Sequence, residues 1–480
     1  MLKIFKIFFR ALKAEDITFC NWKGHSGVKS HLEGKGDLDL FIPIDSKKNF
    51  EQIAERVGFR RVLSYQANYP YIEHYYGFDT TTLQFAHIHV YFKIVTGEHI
   101  SKNYVLPLES YLTNNLDSDF ILPSINESAK LNIFLIRYFL KIGSLFGLLQ
   151  YFREQDKYST EWSSFDLNYE CDQILELDLT KEMFCEMRNV FESSSFLGKF
   201  LLSMRVKKRL KKFRRRSFFI HQLYNVRNLN LRILNKIFLK KQKLLVPGFV
   251  VAICGLDGSG KSSLVSALRE SFSKNFSVKV LHLGRPSSNL LTFLINPFIS
   301  IYSNSRRIKI TKSKEESSVK SSKFSNIHAF RSLLLAYDRK KESKKAHDFG
   351  KKGYIVICDR YPGLQEGKMD SPRIPVSKDR GWFYQFCYKL EKDMYNSIQP
   401  ADAIFHLFVP IEISIERNNK RDKFGKETEE ELRQRFAQNK DATFLSENYN
   451  FIDATFPFNK VFLKVSESIW RFRPLKLIKK

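Results

Sequence analysis

The stretch that most constrains this chain is GLDGSGKSS at residues 255–263, which directly follows the apolar run FVVAIC. It fits the pattern Gly-x-x-x-x-Gly-Lys-Ser, in which a glycine-rich loop joins a strand to a helix. Glycine adopts backbone conformations that other residues avoid, so several backbone N–H groups of such a loop can converge on one phosphate. The helical pattern SSLVSALRESF that follows adds the positive end of a helix dipole. These features predict a loop that binds the phosphates of ATP or GTP.

The polar residues of the loop have expected parts in nucleotide binding. Lys261 is expected to reach the β and γ phosphates of ATP and to act in catalysis, and the Ser262 hydroxyl is expected to bind Mg²⁺. The predicted cofactors are therefore ATP and Mg²⁺. The complete predicted nucleotide-binding set is Gly255, Asp257, Gly258, Ser259, Gly260, Lys261, Ser262 and Ser263.

The length of the chain, 480 residues, predicts two or three folded units rather than one. Strand-like alternation marks the first part of the chain, and helical periodicity marks the part from about 120 to 240. Pro247 and Gly248 then interrupt the pattern. We predict an N-terminal α+β domain at 1–115, a helical extension with a basic linker at 116–246, and a further domain at 247–480.

The domain at 247–480 is expected to be an α/β domain. Apolar strand-like runs recur between helical segments at 249–254, 278–283, 354–358, 403–409 and 460–465. Such runs are typical of parallel strands that are buried on both faces. The pattern predicts a five-stranded parallel sheet covered by helices on both faces. The Ser- and Lys-rich stretch at 305–326 is predicted to be a surface insertion.

The chain is strongly basic, with 79 Lys and Arg residues against 51 Asp and Glu residues and a formal net charge of +28. Such a charge attracts phosphates, nucleic acid or an anionic membrane surface. The segment RVKKRLKKFRRRS at 205–217 carries no acidic residue. We interpret it as a solvated linker helix, and binding of nucleic acid or acidic lipid is the alternative.

Other segments bear on where the protein acts. The amphipathic start MLKIFKIFFRALK predicts a helix that packs on the first domain, with peripheral membrane contact as the alternative. The apolar stretch at 131–152 contains Arg137 and Lys141, which argues against a transmembrane span. The cysteines form no CxxC pair, which predicts reduced thiols and a cytoplasmic location.

Three motifs in order along the second half of the chain resemble those of thymidylate kinases. They are the loop at 255–263, LLLAYDRKKE at 333–342 and ICDRYP at 357–362. In that family the order is a phosphate loop, a helix ending in an Asp-Arg pair, and a strand ending in Asp-Arg-Tyr. The resemblance covers about 247–470 and implies a nucleotide kinase fold, with a homodimer as one assembly that the family forms.

The resemblance implies roles for individual side chains in phosphoryl transfer, a reaction that depends on positioning and charge neutralisation. Asp359, at the end of a strand-like run, is implied to hold the Mg²⁺ shell and to act in catalysis. Arg339 and Arg360 are implied to clamp the phosphate of the acceptor, a task that suits the planar guanidinium group. Asp257 is implied to face an acceptor hydroxyl, and Arg285 is implied to lie on the same side.

The segment ERNNKRDKFGKETEEELRQR at 416–435 follows the fourth strand-like run, where thymidylate kinases carry a lid over the phosphates. The resemblance implies that Arg417 and Arg421 act in catalysis by stabilising the charge of the transferring phosphoryl group. They lie one helical turn apart, so they can share a face. A solvated charged helix with no catalytic part is the alternative interpretation.

Two departures from the family concern the acceptor. Leu335 stands where an aromatic ring usually stacks on the base, and PGLQEGKMDSP at 362–372 lacks the usual Tyr-Gln pair. We therefore predict Mg²⁺-dependent transfer of the ATP γ-phosphate to a small acceptor, with a nucleoside monophosphate as the first expectation. One alternative is a kinase of a sugar, glycan or other metabolite that the N-terminal domain also recognises. Another is an ATP-gated, nucleic-acid-associated regulator without useful turnover.

The N-terminal segment FCNWKGHSGVKSHLEGKGDLDLFI at 19–42 resembles the nucleotidyltransferase fold, in which a glycine-containing turn precedes Asp-x-Asp on a strand. Asp37 and Asp39 lie two residues apart, hence on one face of a strand, and are predicted to share Mg²⁺ bound to a nucleoside triphosphate. A third carboxylate on a neighbouring strand normally completes such a site. The candidate strand offers His87 and His89 instead. An active site, an inactive module and a solvated strand end all remain open.

Overall fold

The computed structural model describes residues 1–64, 68–117, 120–142, 155–193, 195–237, 241–245, 247–284, 286, 325–420, 428–446 and 448–472. The chain divides into two compact units, Met1–Gln242 and Lys243–Lys480. The first unit contains the predicted domain at 1–115 and the predicted extension up to Gln242, and the boundary between 115 and 116 stays a prediction. The predicted insertion at 305–326 lies almost entirely outside the described residues.

The first unit combines helices with a mixed sheet. Its helices include α1 Lys3–Ala14, α2 Val28–Leu32, α3 Lys47–Val57, α4 Glu109–Asn114, α5 Glu127–Lys141, α6 Lys181–Glu192, α7 Phe196–Arg209 and α8 Phe218–Ile237. Its strands include β1 Cys20–Asn21, β2 Asp37–Phe41, β3 Phe59–Leu63, β4 Ile72–Asp79, β5 Gln84–Tyr91, β6 Ile94–Thr96, β7 Tyr104–Leu106, β8 Leu116–Asp117 and β9 Ser124–Ile125.

The main sheet of this unit has the strand order β3-β4-β5-β2-β1-β9-β8, and β6 pairs with β7 separately. β2 runs parallel to β5, whereas β4 runs antiparallel to β5. Leu38, Leu40, Ile88 and Val90 point into a fully buried core that also contains the Phe side chains of α1. Because side chains alternate along a strand, the residues between them share the other face of the sheet.

Two helices of this unit match the patterns seen in the sequence. Phe5, Phe8 and Phe9 bury one face of α1 in the core, as the amphipathic pattern predicts. In α5, Arg137 donates to Glu161 at 3.0 Å, so the charge inside this apolar helix has a buried partner. Among the described residues, no helix combines the length and the apolar character that a membrane crossing requires.

The segment at 205–217 differs from its prediction as a solvated linker helix. Val206 and Leu210 are fully buried in the core of the first unit. The Lys207 Nζ is also buried and donates to the Ile142 carbonyl oxygen at 2.9 Å, and Arg214 Nε donates to the Tyr104 hydroxyl at 2.9 Å. The prediction fails because two apolar residues four positions apart are enough to form a buried stripe on a helix.

The second unit contains the predicted five-stranded parallel sheet, in the order β12-β13-β11-β14-β15. Its strands include β10 Lys243–Leu244, β11 Phe249–Gly255, β12 Val278–His282, β13 Ile355–Asp359, β14 Ala403–Phe408 and β15 Tyr449–Asp453. Its helices include α9 Lys261–Ser273, α10 Asn326–Lys351, α11 Trp382–Asn396, α12 Ile411–Asn419, α13 Glu429–Asn439 and α14 Phe458–Arg471.

The central strand of this sheet is β11, which is buried along its whole length. Val250 and Ala252 on one face pack with Ala336 of α10 and Tyr395 of α11. Val251, on the opposite face, is also fully buried. Burial of both faces is the expected environment of a central parallel strand.

One predicted strand of this unit is wrong, and another strand of its sheet was not predicted. The run at 460–465 is part of α14, in which Val461, Val465 and Ile469 are buried at helical spacing. The fifth strand is β15, whose mostly exposed or half-buried residues give little apolar signal. The helix α10 does not end at its Asp-Arg pair but continues to Lys351.

Candidate functional site

The predicted phosphate loop lies between the end of β11 and the start of α9. Gly255, Gly258 and Gly260 have φ angles of +140°, +85° and +91°, which side chains other than glycine rarely allow. A Cβ atom at Gly258 would lie 2.4 Å from Ser414 Oγ, so the space beside the loop also requires glycine. Backbone conformation therefore favours glycine at all three positions, and close packing also requires it at Gly255 and Gly258.

The start of α9 offers groups suited to an anion. The first N–H groups of a helix have no partner within the helix, and they lie at the positive end of its dipole. Ser262 and Ser263, in the first turn, are exposed. Ser259 is buried, and no hydrogen-bond partner of its Oγ is found among the described residues. These groups can hold a phosphate at this end of the central strand.

Lys261 is folded back onto the loop and is almost fully buried, with 6% of its surface exposed. Its Nζ donates to the Leu256 carbonyl oxygen at 2.6 Å and lies 3.7 Å from Asp257 Oδ1. Burial and the charge of Arg360 lower its pKa to about 8, against the opposing effect of Asp257. The ammonium group is thus held beside the loop by one carbonyl oxygen and one nearby carboxylate.

Asp257 joins the loop to two arginine side chains. Its Oδ1 accepts from Arg360 Nη2 at 2.6 Å, and its Oδ2 accepts from Arg435 Nη1 at 2.7 Å. Burial opposes ionisation of this carboxyl, but Arg360, Lys261 and Arg435 hold its pKa at about 2. The carboxylate therefore stays charged at neutral pH and fixes both guanidinium groups at the loop.

The carboxylate of Asp370 accepts hydrogen bonds from both Arg339 and Arg360. Asp370 accepts from Arg339 Nη2 at 2.6 Å and from Arg360 Nη1 at 3.4 Å. Arg339 is fully buried. Its other donors reach the Leu283 carbonyl at 3.0 Å, the Gly284 carbonyl at 3.1 Å and the Tyr395 hydroxyl at 2.6 Å. In this conformation Arg339 orders the segments around Arg360, and its predicted contact with an acceptor phosphate stays a prediction.

Backbone geometry also constrains Arg360. The residue follows β13 with a φ of +67°, in the left-handed region that favours glycine. A Cβ atom at Gly284 would lie 2.2 Å from Arg360 Cδ, so the arginine side chain occupies the space that a side chain at 284 would need. This contact keeps Arg360 directed at Asp257.

The remaining predicted residues of this site have different placements. Asp359 ends β13, and its Oδ2 lies 3.2 Å from Nδ1 of His282 at the end of the neighbouring strand β12. Arg417 Nη2 donates to the Ala454 carbonyl at 2.9 Å, and its Nη1 lies 3.4 Å from the Gly258 carbonyl oxygen of the loop. Arg285 and Arg421 lie outside the described residues.

Asp370, Arg435 and Ser414 contact this site but were not singled out by the sequence patterns. Ser414 donates from Oγ to the Asp257 carbonyl oxygen. Arg435 is the last residue of the lid-like segment at 416–435. Its position in that segment was the one sequence signal that could have pointed to its role. Asp370 stands in an irregular stretch without periodicity, and only the folded chain brings it to the two arginines.

The first unit has its own cluster of polar side chains on β2, β4 and β5. Register places Asp37 beside His87, Asp39 beside His89, and His74 beside His89. His89 Nδ1 lies 2.8 Å from Asp37 Oδ2 and 3.5 Å from Asp39 Oδ1. The predicted pair of aspartates therefore faces two imidazole groups of β5 and a third from β4, which the sequence patterns did not single out.

Burial and neighbouring charged groups shift the pKa values of the side chains in this cluster. Lys23 Nζ lies 3.0 Å from Asp39 Oδ1. Burial opposes ionisation of Asp39, but Lys23 and His89 hold its pKa well below the ordinary range. Burial lowers the pKa of His74 to about 2 and that of His87 to about 3, and the neighbouring histidines add to the effect. Both imidazoles are thus neutral at physiological pH.

The pKa of Lys261 leads to a prediction about nucleotide binding. The charged ammonium attracts phosphates and the neutral amine does not, so the affinity for ATP with Mg²⁺ should fall as pH rises through about 8. Asp257, with a pKa of about 2, stays ionised throughout this range. Equilibrium binding of a fluorescent ATP analogue at pH values from about 7 to about 9.5 measures the effect. Lys261→Arg keeps its charge and should flatten the profile; an equally flat wild-type profile would contradict the assignment.

No known family model matches this chain. The chain is 25% identical over 177 residues to the uncharacterized ATP-binding protein YghR of Escherichia coli K12. The aligned region covers 36% of this chain and 69% of YghR. YghR of Escherichia coli O6:H1 matches to the same extent. Among solved structures, this chain is similar to thymidylate kinase from Candida albicans, with 20% sequence identity and a TM-score of 0.28. The match covers 46% of this chain and 91% of the thymidylate kinase chain. These similarities each concern less than half of the chain.

Proposed function

We propose that the second unit is a Mg²⁺-dependent phosphotransferase that moves the γ-phosphate of ATP to a small acceptor, with a nucleoside monophosphate as the first candidate. The observation that carries this proposal is the glycine loop at the end of the central strand, with buried Lys261 against it and two arginines held by Asp257. The description of YghR as an ATP-binding protein supports ATP as the nucleotide.

The donor side is built from the loop and from α9. The N–H groups of the loop and of the first helical turn bind phosphate oxygens, and Lys261 turns from the Leu256 carbonyl to the β and γ phosphates. Ser262 and Asp359 offer a hydroxyl and a carboxylate, which are oxygen ligands of the type that Mg²⁺ prefers. Mg²⁺, when bound there, neutralises charge between the phosphates.

The acceptor side is built around Arg360. An acceptor oxygen attacks the γ phosphorus, the bond from that phosphorus to the oxygen of ADP breaks, and the charge on the transferring group needs cations nearby. Arg360 binds the phosphate of the acceptor, while Asp257 and Asp370 orient its guanidinium group. Arg435 and Arg417, which contact Asp257 and Gly258, neutralise the transferring group.

A kinase of a sugar, glycan or other metabolite is a second candidate. Leu335 is half-buried on α10 at the position where thymidylate kinases stack an aromatic ring on the base. An aliphatic side chain provides apolar contact without the stacking that favours a nucleobase. The donor side is the same in both candidates, so they differ only in the acceptor.

The direct test is ADP formation with ATP and Mg²⁺ against a panel of acceptors. The panel contains deoxythymidylate, the other nucleoside monophosphates, simple sugars and a control without acceptor. Turnover that depends on a nucleoside monophosphate supports the first candidate, and turnover with sugars alone supports the second. Acceptor-independent hydrolysis, or no turnover at all, would contradict a phosphotransferase.

Asp257→Asn separates the acceptor side from the donor side. The neutral amide weakens two charge-assisted hydrogen bonds, each worth about 1.5–3 kcal/mol, so Arg360 loses its orientation. We expect the KM for the acceptor to rise about tenfold to a hundredfold. ATP affinity should change less, because the loop N–H groups remain while Lys261 loses only a carboxylate 3.7 Å from its Nζ. Asp379→Asn, at an exposed position of the same unit, is the matched control. An unchanged KM for the acceptor would show that Asp257 does not serve the acceptor side.

A further inference from the structure

Three histidines in the first unit converge on one face of its sheet. His74 lies on β4, and His87 and His89 lie on the adjacent strand β5. One ring nitrogen from each of the three lies within 4.8 Å of the others. Both strands are fixed from the opposite face, β4 by buried Tyr75 and β5 by fully buried Ile88 and Val90. Ligands on rigid strands are held in position before a metal binds.

The distances within this histidine triad fit one metal ion. His74 Nδ1 and His87 Nε2 are 3.4 Å apart. Two nitrogen ligands of a tetrahedral Zn²⁺, each at about 2.0–2.1 Å, lie roughly 3.3–3.4 Å from each other. The His89 ring lies close to the other two, with centroid distances of 4.3 Å to His74 and 4.5 Å to His87. The Tyr76 ring stacks on His87 at 4.0 Å and fixes the plane of that imidazole.

The carboxylates beside the triad have other partners. Asp37 Oδ2 lies 2.8 Å from His89 Nδ1, and Asp39 Oδ1 lies 3.0 Å from Lys23 Nζ. Histidines that bind a metal through one ring nitrogen usually donate the other N–H to a carboxylate or carbonyl. Asp37 engages Nδ1 of His89 in this way, which assigns Nε2 to the metal.

We propose that His74, His87 and His89 bind one divalent transition-metal ion of the zinc type, with Asp37 orienting His89. Imidazole ligands favour such ions, whereas Mg²⁺ favours carboxylates and water. The proposal therefore replaces the magnesium site that the Asp-x-Asp pattern predicts. It also differs from the proposed kinase site, because every residue of the triad belongs to the first unit. Three protein nitrogens leave a fourth position of a tetrahedral ion for water or an anionic ligand.

The test begins with the full chain after dialysis against a chelator. Zn²⁺ is then titrated in competition with a chromophoric chelator, and Co²⁺ is used as a spectroscopic probe. We expect one Zn²⁺ per chain, an absorption spectrum of tetrahedral Co²⁺, and no displacement by a large excess of Mg²⁺. X-ray absorption of the wild-type complex should count three imidazole nitrogens, a result that does not depend on the folding of any variant.

Variants identify the ligands. His74→Ala and His87→Ala should each weaken Zn²⁺ binding by at least about 100-fold, the upper end of what loss of an outer-shell partner costs. Asp37→Asn should weaken it by about 10- to 100-fold, as expected for a positioning residue. His328→Ala is the control, since His328 is an exposed histidine of the second unit. Zn²⁺ binding that is equal in wild type, His74→Ala and His87→Ala would overturn the proposal. Tight Mg²⁺ binding lost in Asp37→Asn and Asp39→Asn would also overturn it.

Discussion

Lys261→Ala is expected to reduce ATP-dependent phosphoryl transfer by at least about 100-fold, which is the usual effect of removing one group that stabilises a developing negative charge. Lys261 Nζ is the ammonium group packed against the loop, and its burial strengthens its interaction with phosphates. The rate of ADP formation with the best acceptor of the panel measures the effect. Lys274→Ala, at the exposed opposite end of α9, should keep wild-type turnover.

Folding of the Lys261→Ala variant is checked by hydrogen exchange and mass spectrometry, since peptides report on the two units separately. Exchange in the first unit should be unchanged. Full activity in a folded Lys261→Ala protein would remove the loop from the mechanism. Equal losses in Lys261→Ala and Lys274→Ala would show that the assay responds to a general change in charge.

Asp370→Asn is expected to destabilise the second unit by about 3–5 kcal/mol, the usual cost of removing one partner of a buried ion pair. Arg339 is fully buried, and Asp370 is the carboxylate within 2.6 Å of its guanidinium group. A neutral amide would leave the buried arginine charge without the carboxylate that accepts its hydrogen bond. Arg360 would also lose one of its two acidic partners.

Glu366→Gln is the matched control for Asp370→Asn. Glu366 lies 3.2 Å from Lys392, and both side chains are exposed, so solvent screens this pair and its loss should cost far less stability than the loss of Asp370. Exchange rates of β11 and β13 peptides in increasing denaturant give the free energy of opening of the second unit. Similar losses in the two variants would show that the hydrogen bonds of Arg339 to backbone carbonyls compensate its charge without Asp370.

The phosphate loop could be predicted from the sequence because its determinants are local. Strand, glycines and helix follow one another within 249–273, and the required φ angles can be inferred from the residue types themselves. Asp359 could be placed at the end of a strand for the same reason. The contacts of Asp257 with Arg360 and Arg435 join residues far apart in the chain, and no periodic pattern encodes them.

The wrong strand assignment at 460–465 has a related cause. A short apolar run fits a buried strand and a helix equally well, and the buried residues that continue the helical spacing to Ile469 settle the choice. The edge strand β15 was missed because it buries few side chains. In the first unit, Asp37 and Asp39 were visible as a pair, but the antiparallel pairing of β4 with β5 that brings His74 to them was not.

The contact between Gly284 and Arg360 bears on how the acceptor preference of this fold changes during evolution. Any other residue at 284 carries a Cβ atom that would meet Arg360 Cδ at 2.2 Å. In the proposed kinase, such a substitution is expected to turn the guanidinium group away from Asp257 of the ATP loop. Position 284 is thus a single point at which mutation can change how the acceptor is held, and a library randomised there is a natural start for laboratory selection.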